Sequence, residues 1–241
     1  ITCFKNCEEK VKIKVVKKEK IPVGKTFSAL LKNQYFWAVL ILWMMQNVIT
    51  SITGTILPYY CKYILGNDTW MYSVLYFAET IVIILGAMVC PMFIKKWGKR
   101  NIILAGAVVA IAAQVCLMLN PNNFYYMFAI TLIRSAGVAQ LNATVFGMLG
   151  DVVEYSYWKN GFRQESMIFG GASLGFKVGS GIASAVITSL MTASGYISSQ
   201  GADVVQPGSA ISMIADIYKW GPVIIWVIAA IMLVIYKLDR E

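Results

Sequence analysis

The chain alternates long apolar runs with short polar breaks, and the runs set the architecture. Six stretches, 33–61, 70–94, 101–120, 123–150, 166–194 and 212–236, are apolar enough to cross a membrane. A hydrocarbon core of about 30 Å takes roughly 20 helical residues at about 1.5 Å each. Backbone amides in hydrocarbon have no water to bond, so a single span must satisfy them internally, as a helix. The pattern therefore predicts an all-α polytopic membrane protein, with six transmembrane helices over 33–241 and a basic cytoplasmic linker over 1–32.

The breaks carry turn chemistry. Gly66, Asn67 and Asp68 make one turn and Pro121-Asn122-Asn123 another, which leaves little room for extramembrane domains. The connection over 195–211 is rich in Gly, Ser and Gln and reads as flexible. The one over 151–165 is charged and aromatic and reads as structured.

Charge follows topology. Nine lysines fall in residues 5–32, four basic residues in Lys95–Arg100, and Lys159 with Arg163 in the fourth connection. With Lys237 and Arg240 these all lie on one side if the spans alternate, and the positive-inside rule makes that side and both ends of the segment cytoplasmic. A net charge of +9 in this distribution is a topology signal beside anionic lipid, not a nucleic-acid footprint. The five cysteines form no framework and histidine is absent, so no metal or cofactor site and no histidine-based enzyme chemistry is expected. The chain starts at Ile1 on a polar, basic leader, which reads as part of a longer polypeptide.

Charges inside the spans are the candidate chemistry. Lys177 is the sole charge in 166–194. An ammonium at that depth is costly, so it marks a pathway or pairs with a partner. Glycines 170, 171, 175, 179 and 181 surround it, and the Gly175–Gly179 spacing also suits plain helix packing. Glu79 and Arg134 lie at matching depths in the second and fourth spans and are expected to form a buried ion pair. Ser173, Asn142, Gln140 and Asn47 are polar positions that join Lys177 as candidate substrate or coupling residues. Asp151 and Glu154, at the inner end of the fourth span, oppose the helix dipole there and need a basic partner: Lys159, Arg163 or the Lys95–Arg100 turn. They serve either as a cytoplasmic gate or as ordinary solvated acids.

The run DVVEYSYWKNGFRQES followed by GFKVGSG resembles the melibiose permease-like glycoside–pentoside–hexuronide:cation symporters of the major facilitator superfamily. Asp151, Tyr155, Trp158, Lys159, Gly161, Arg163, Glu165 and Lys177 carry the match, with Tyr59–Gly66 and the lysine turn at Gly98 beside them. The chain departs from the family at Glu154, Ser166 and Phe176. At Asn142 it departs where a member has a sugar-contacting tryptophan. The resemblance implies helices seven to twelve of such a fold, in which the second three spans invert the first three. It further implies a cation-coupled (sodium or proton) transporter of a glycoside, pentoside, hexuronide or oligosaccharide, working by alternating access in the plasma (bacterial inner) membrane.

On that reading Asp151, Glu154, Lys159, Arg163 and Glu165 form the cytoplasmic gate. The partners are the sugar, the coupling cation, the lipid bilayer and the N-terminal six-helix half. Two alternatives stand beside it: a non-transporting six-helix membrane subunit or scaffold, and a cation-coupled lysolipid carrier of similar fold.

Overall fold

The structure is a computed structural model and describes residues 22–66, 70–198 and 205–236. It is all helical over these residues: α1 (Val23–Leu31), α2 (Gln34–Tyr63), α3 (Trp70–Trp97), α4 (Lys99–Leu117), α5 (Phe124–Asn160), α6 (Glu165–Ala193) and α7 (Gly208–Ile235). Helices α2 to α7 are long and apolar enough to cross a membrane. The Asn67–Asp68 turn, Cys3, Cys7 and most of the lysine-rich leader lie outside the described residues.

Helix ends follow local chemistry. Asn33 caps α2 by accepting from the amides of Tyr35 and Phe36 at 3.1 and 3.3 Å, and Asn123 caps α5 by accepting from Tyr126 at 3.1 Å. Gly98, with φ 80°, reverses the chain between α3 and α4, a conformation other residues adopt only with strain. The last stretch of the basic linker is the helix α1, whose Leu30 is buried at the foot of α2 and α6. The Trp37 indole donates to the Leu31 carbonyl at 2.9 Å and ties the α1–α2 turn.

The connection expected over 151–165 is mostly helix. No Gly or Pro interrupts 151–160, and α5 runs on to Asn160, ending where Gly161 takes the left-handed cap (φ 75°). Its 37 residues span about 55 Å, well beyond the hydrocarbon core. The connection expected over 195–211 is likewise shorter, because α7 already starts at Gly208.

Packing centres on α2, which lies against α6, α7 and α5; α4 and α3 pack on the other side of α5. Glycines set two of the closest crossings. A Cβ on Gly106 of α4 would come 2.6 Å from the Gly137 carbonyl of α5. On α6, a Cβ at Gly175 would meet Leu40 at 2.9 Å and one at Gly179 the Met44 carbonyl at 2.8 Å. The Gly175–Gly179 pair is thus the seat of α6 on α2, the small-residue packing that bare spacing allowed. One core cluster gathers around Leu42, Leu141 and Met148 towards the α1 end, and another around Ile56, Tyr60 and Leu117 towards the opposite end. Helix α3 buries little, with Phe77, Met88 and Met92 more than two-thirds exposed, as a face turned to hydrocarbon or another apolar surface would be.

Candidate functional site

Helices α5 and α6 both pack against α2 and touch each other little, and we infer a cleft between them with α2 as its floor. Three aromatic rings line it. Trp43 of α2 sits 5.1 Å from Phe146 of α5 and 5.4 Å from Phe176 of α6, centroid to centroid. Phe146 and Phe176 keep 57% and 37% of their surface exposed, so their rings are available rather than spent in the core.

Polar groups sit one turn further along the same helices. The Gln46 amide donates to the Asn142 carbonyl oxygen at 3.1 Å, bridging floor to wall. The Asn47 amide donates to the backbone carbonyl of Phe176, which bridges the floor to the other wall. Rings that shed water beside fixed amide donors and acceptors are what a small polyhydroxylated molecule requires of a site.

Asn47 and Lys177 each lie 16 residues from the ends of their helices remote from α1, about 24 Å, and Asn142 lies 18 residues from its own, about 27 Å. The cleft is therefore built at one depth. Gly175 and Gly179 face α2, so Lys177, midway between them at about 100° per residue, takes the opposite, open side of α6. Its side chain is exposed and has no hydrogen-bond or ion-pair partner among the described residues. Ser173, one turn earlier, shares that open side and is also exposed.

Gln140 does not join the cleft. Two residues from Asn142 is about 200° around a helix, and its stem packs against the Gly106 side, on α4. The amide donates weakly to its own helix at Ala136, 3.4 Å.

Glu79 and Arg134 are in contact, Nη2 to Oε2 at 3.2 Å, with side chains 14% and 3% exposed. The pair belongs to a larger network that the spacing did not reveal. Arg134 Nη1 donates to Gln114 Oε1 at 3.2 Å, and Gln114 Nε2 donates to the Tyr218 carbonyl at 2.7 Å. The Arg134 guanidinium also stands over the Tyr218 ring at 5.7 Å. Four helices, α3, α4, α5 and α7, are joined through these side chains.

At the cytoplasmic end expected for these helices, Asp151 takes its partner from the lysine turn. Lys99 Nζ donates to both carboxylate oxygens of Asp151 at 2.6 Å and to the Gly147 carbonyl at 3.1 Å. Because α5 continues to Asn160, Asp151 and Glu154 are not at a helix C-terminus, and the dipole argument for their pairing falls away. That argument applies instead to Lys159, which sits favourably in the last turn with its ammonium 5.7 Å above the Tyr155 ring. Glu165 opens α6, where a carboxylate is favoured. Glu154, Arg163 and Glu165 are exposed, and none has a salt-bridge partner among the described residues.

At the opposite end, the Tyr63 and Tyr196 hydroxyls are 3.4 Å apart, and Gln206 clamps both backbone groups of Ile197 at 2.8 and 3.0 Å. Burial first, and then the Tyr63 hydroxyl, holds the Tyr196 hydroxyl well above the usual tyrosine range, so this contact stays neutral. Among the described residues no group of three His, Cys, Asp or Glu is placed to hold a metal ion.

The family described as MFS/sugar transport protein matches residues 1–240. An isoprimeverose transporter of Lactiplantibacillus pentosus is 29% identical over 98% of this chain and 48% of its own length. A lactose permease of Lactobacillus helveticus is 26% identical over 86% of this chain and 32% of its own. An uncharacterized symporter of Bacillus subtilis is 24% identical over 69% of this chain and 36% of its own. The chain thus spans about half the length, or less, of these relatives, whose names describe transporters rather than enzymes.

Proposed function

The chain belongs to the MFS/sugar transport protein family, and from that premise we propose that it is the six-helix C-terminal half of a cation-coupled sugar transporter. Its substrate is a glycoside, pentoside, hexuronide or oligosaccharide, moved by alternating access across the plasma membrane with the α1 end cytoplasmic. Sodium or protons supply the drive from the half that precedes it.

The observation that carries this reading is the cleft. Phe146 and Phe176 offer exposed ring faces beside Trp43, the half-buried Asn142 lies next to them, and the buried Gln46 and Asn47 hold the walls to the floor at the same depth. Lys177 and Ser173 project from the open side of the same α6 segment, where a second half would complete the cavity. A lysine there hydrogen-bonds substrate hydroxyls, offsets an anionic substrate or meets a carboxylate of the other half. Relatives two to three times as long, named for the transport of sugars, support this completion.

Asp151, Glu154, Lys159, Arg163 and Glu165 lie at the end expected to close when the outer side opens. In this reading Lys99–Asp151 fixes the α4–α5 end as a unit, and the unpaired Glu154, Arg163 and Glu165 engage the other half on closure.

The test is uptake of labelled mono- and disaccharides, into cells or vesicles carrying the whole transporter, under an imposed sodium or proton gradient. Gradient-dependent uptake of one sugar class, lost in Lys177→Ala and Trp43→Ala while membrane insertion persists, supports the reading. A sugar panel that gives no uptake with either gradient, or uptake indifferent to both substitutions, rejects it.

A further inference from the structure

On the side of α2 away from the cleft wall of α5, a second and chemically different space lies between α6 and α7. It holds about 400 Å³, within the range of small-molecule sites, and is lined almost wholly by apolar side chains. Ile182, Val186 and Leu190 of α6 form one wall and Trp220 and Ile224 of α7 the other, with Val48 of α2 at the back. Ile182, Val186, Trp220 and Ile224 are each about half exposed, so the space is a crevice open to the side rather than a sealed void.

Asp216 is the one ionisable residue in its lining. The carboxylate lies eight residues into α7, about 12 Å from the helix start, and is exposed. Among the described residues it has no ion-pair or hydrogen-bond partner, and Lys219, one turn on, does not reach it. An ionised, unpaired carboxylate at the edge of hydrocarbon attracts a cation held at the same level, which a lipid headgroup can supply. From Asp216 to Ile225 at the far end of the crevice is nine residues, about 14 Å. That is close to the thickness of one leaflet's hydrocarbon, half of about 30 Å.

The geometry points to a binding site for an aminophospholipid of the outer leaflet, with one acyl chain in the crevice and the primary ammonium of the headgroup on Asp216. The length and apolar lining match the chain, and the lone carboxylate matches the head. An anionic lipid would place like charge against Asp216, and a sugar would find almost wholly apolar walls, with only Asp216 and the Trp220 indole able to hydrogen-bond it. The inference rests on the crevice and on the proposed orientation, with the α1 end cytoplasmic, and not on which sugar, if any, is carried.

The experiment reconstitutes the full polypeptide in vesicles of equal phosphatidylethanolamine and phosphatidylglycerol, then counts co-purified lipids by native mass spectrometry. The protein as it stands should retain phosphatidylethanolamine over phosphatidylglycerol by about tenfold, equivalent to about 1.4 kcal/mol. Asp216→Asn, an exposed and nearly isosteric change, should equalise the two without emptying the site. Val186→Trp should fill the crevice and abolish retention of both. Equal retention by the unaltered protein overturns the proposal without any variant, as does the absence of bound lipid, which would mean that another helix covers the crevice. A preference that survives Asp216→Asn overturns it as well.

Discussion

Gln114 supplies the hydrogen bond that Pro222 withholds from Tyr218. Proline has no amide hydrogen, so the carbonyl four residues earlier in α7, that of Tyr218, loses its helical donor. Gln114 Nε2 of α4 fills the gap at 2.7 Å, while its other end receives Arg134. Replacing Gln114 by Leu strands a carbonyl and part of a guanidinium in hydrocarbon, at about 1–3 kcal/mol. In Pro222→Ala the carbonyl regains its own donor, so the penalty of Gln114→Leu should shrink in that background. Thermal unfolding of the four proteins in detergent reads the coupling, and equal penalties in both backgrounds would show that the bond does not serve the proline.

The Glu79–Arg134 pair should behave as a matched set. Arg134 is 3% exposed, and Glu79→Leu alone leaves its charge uncompensated, a loss of about 3–5 kcal/mol. Removing both charges together should recover much of that loss. Folded yield and melting temperature check this, and a double variant as damaged as the worse single one would contradict it.

Lys99 and Asp151, 2.6 Å apart with about a quarter of each side chain exposed, contribute up to about 1 kcal/mol to stability. Their larger effect is expected on transport, because the contact locks α4 to α5 at the end proposed to open and close. Asp151→Asn should lower the uptake rate more than it lowers the melting temperature, and exchanging the two residues should restore part of the rate. A rate that simply tracks stability across these variants would reduce the pair to packing.

Trp43 touches both other rings of the cleft. Trp43→Phe keeps a ring and should weaken substrate affinity modestly. Trp43→Ala removes the floor and should cost about 1–3 kcal/mol of binding, roughly tenfold or more, by analogy with other aromatic anchors. Binding of a fluorescent glycoside to the whole transporter measures both.

The spans were legible because hydrocarbon leaves so few solutions: twenty-odd apolar residues spell a helix, even through Pro58, Pro91 and Pro222. The Glu79–Arg134 contact was readable for the same reason, since two isolated charges at one depth have few other partners. The end of α5 was misread because 151–160 is polar, and polarity marks the membrane boundary rather than the helix boundary. Gly161 was the signal that the helix stops ten residues later. The aromatic triad was hidden because its rings come from three helices and each looks like an ordinary apolar residue in its own span. Gln114 was overlooked for lack of charge, and its purpose appears only when α7 is laid beside it. Gln140 and Asn142 looked equivalent in one polar patch until helical rotation set them on opposite faces.

The length of α5 turns a small motion inside the membrane into a large one outside it. Asn142 and Trp158 sit on one uninterrupted helix, 16 residues and about 24 Å apart. If that helix pivots near Asn142, a tilt of about 10° carries Trp158 sideways by about 4 Å. That is enough to make or break an ion pair at Glu154 or Lys159 on the same arm. Occupancy of the cleft can thus be reported at the surface by leverage, with no side chain running between the two places.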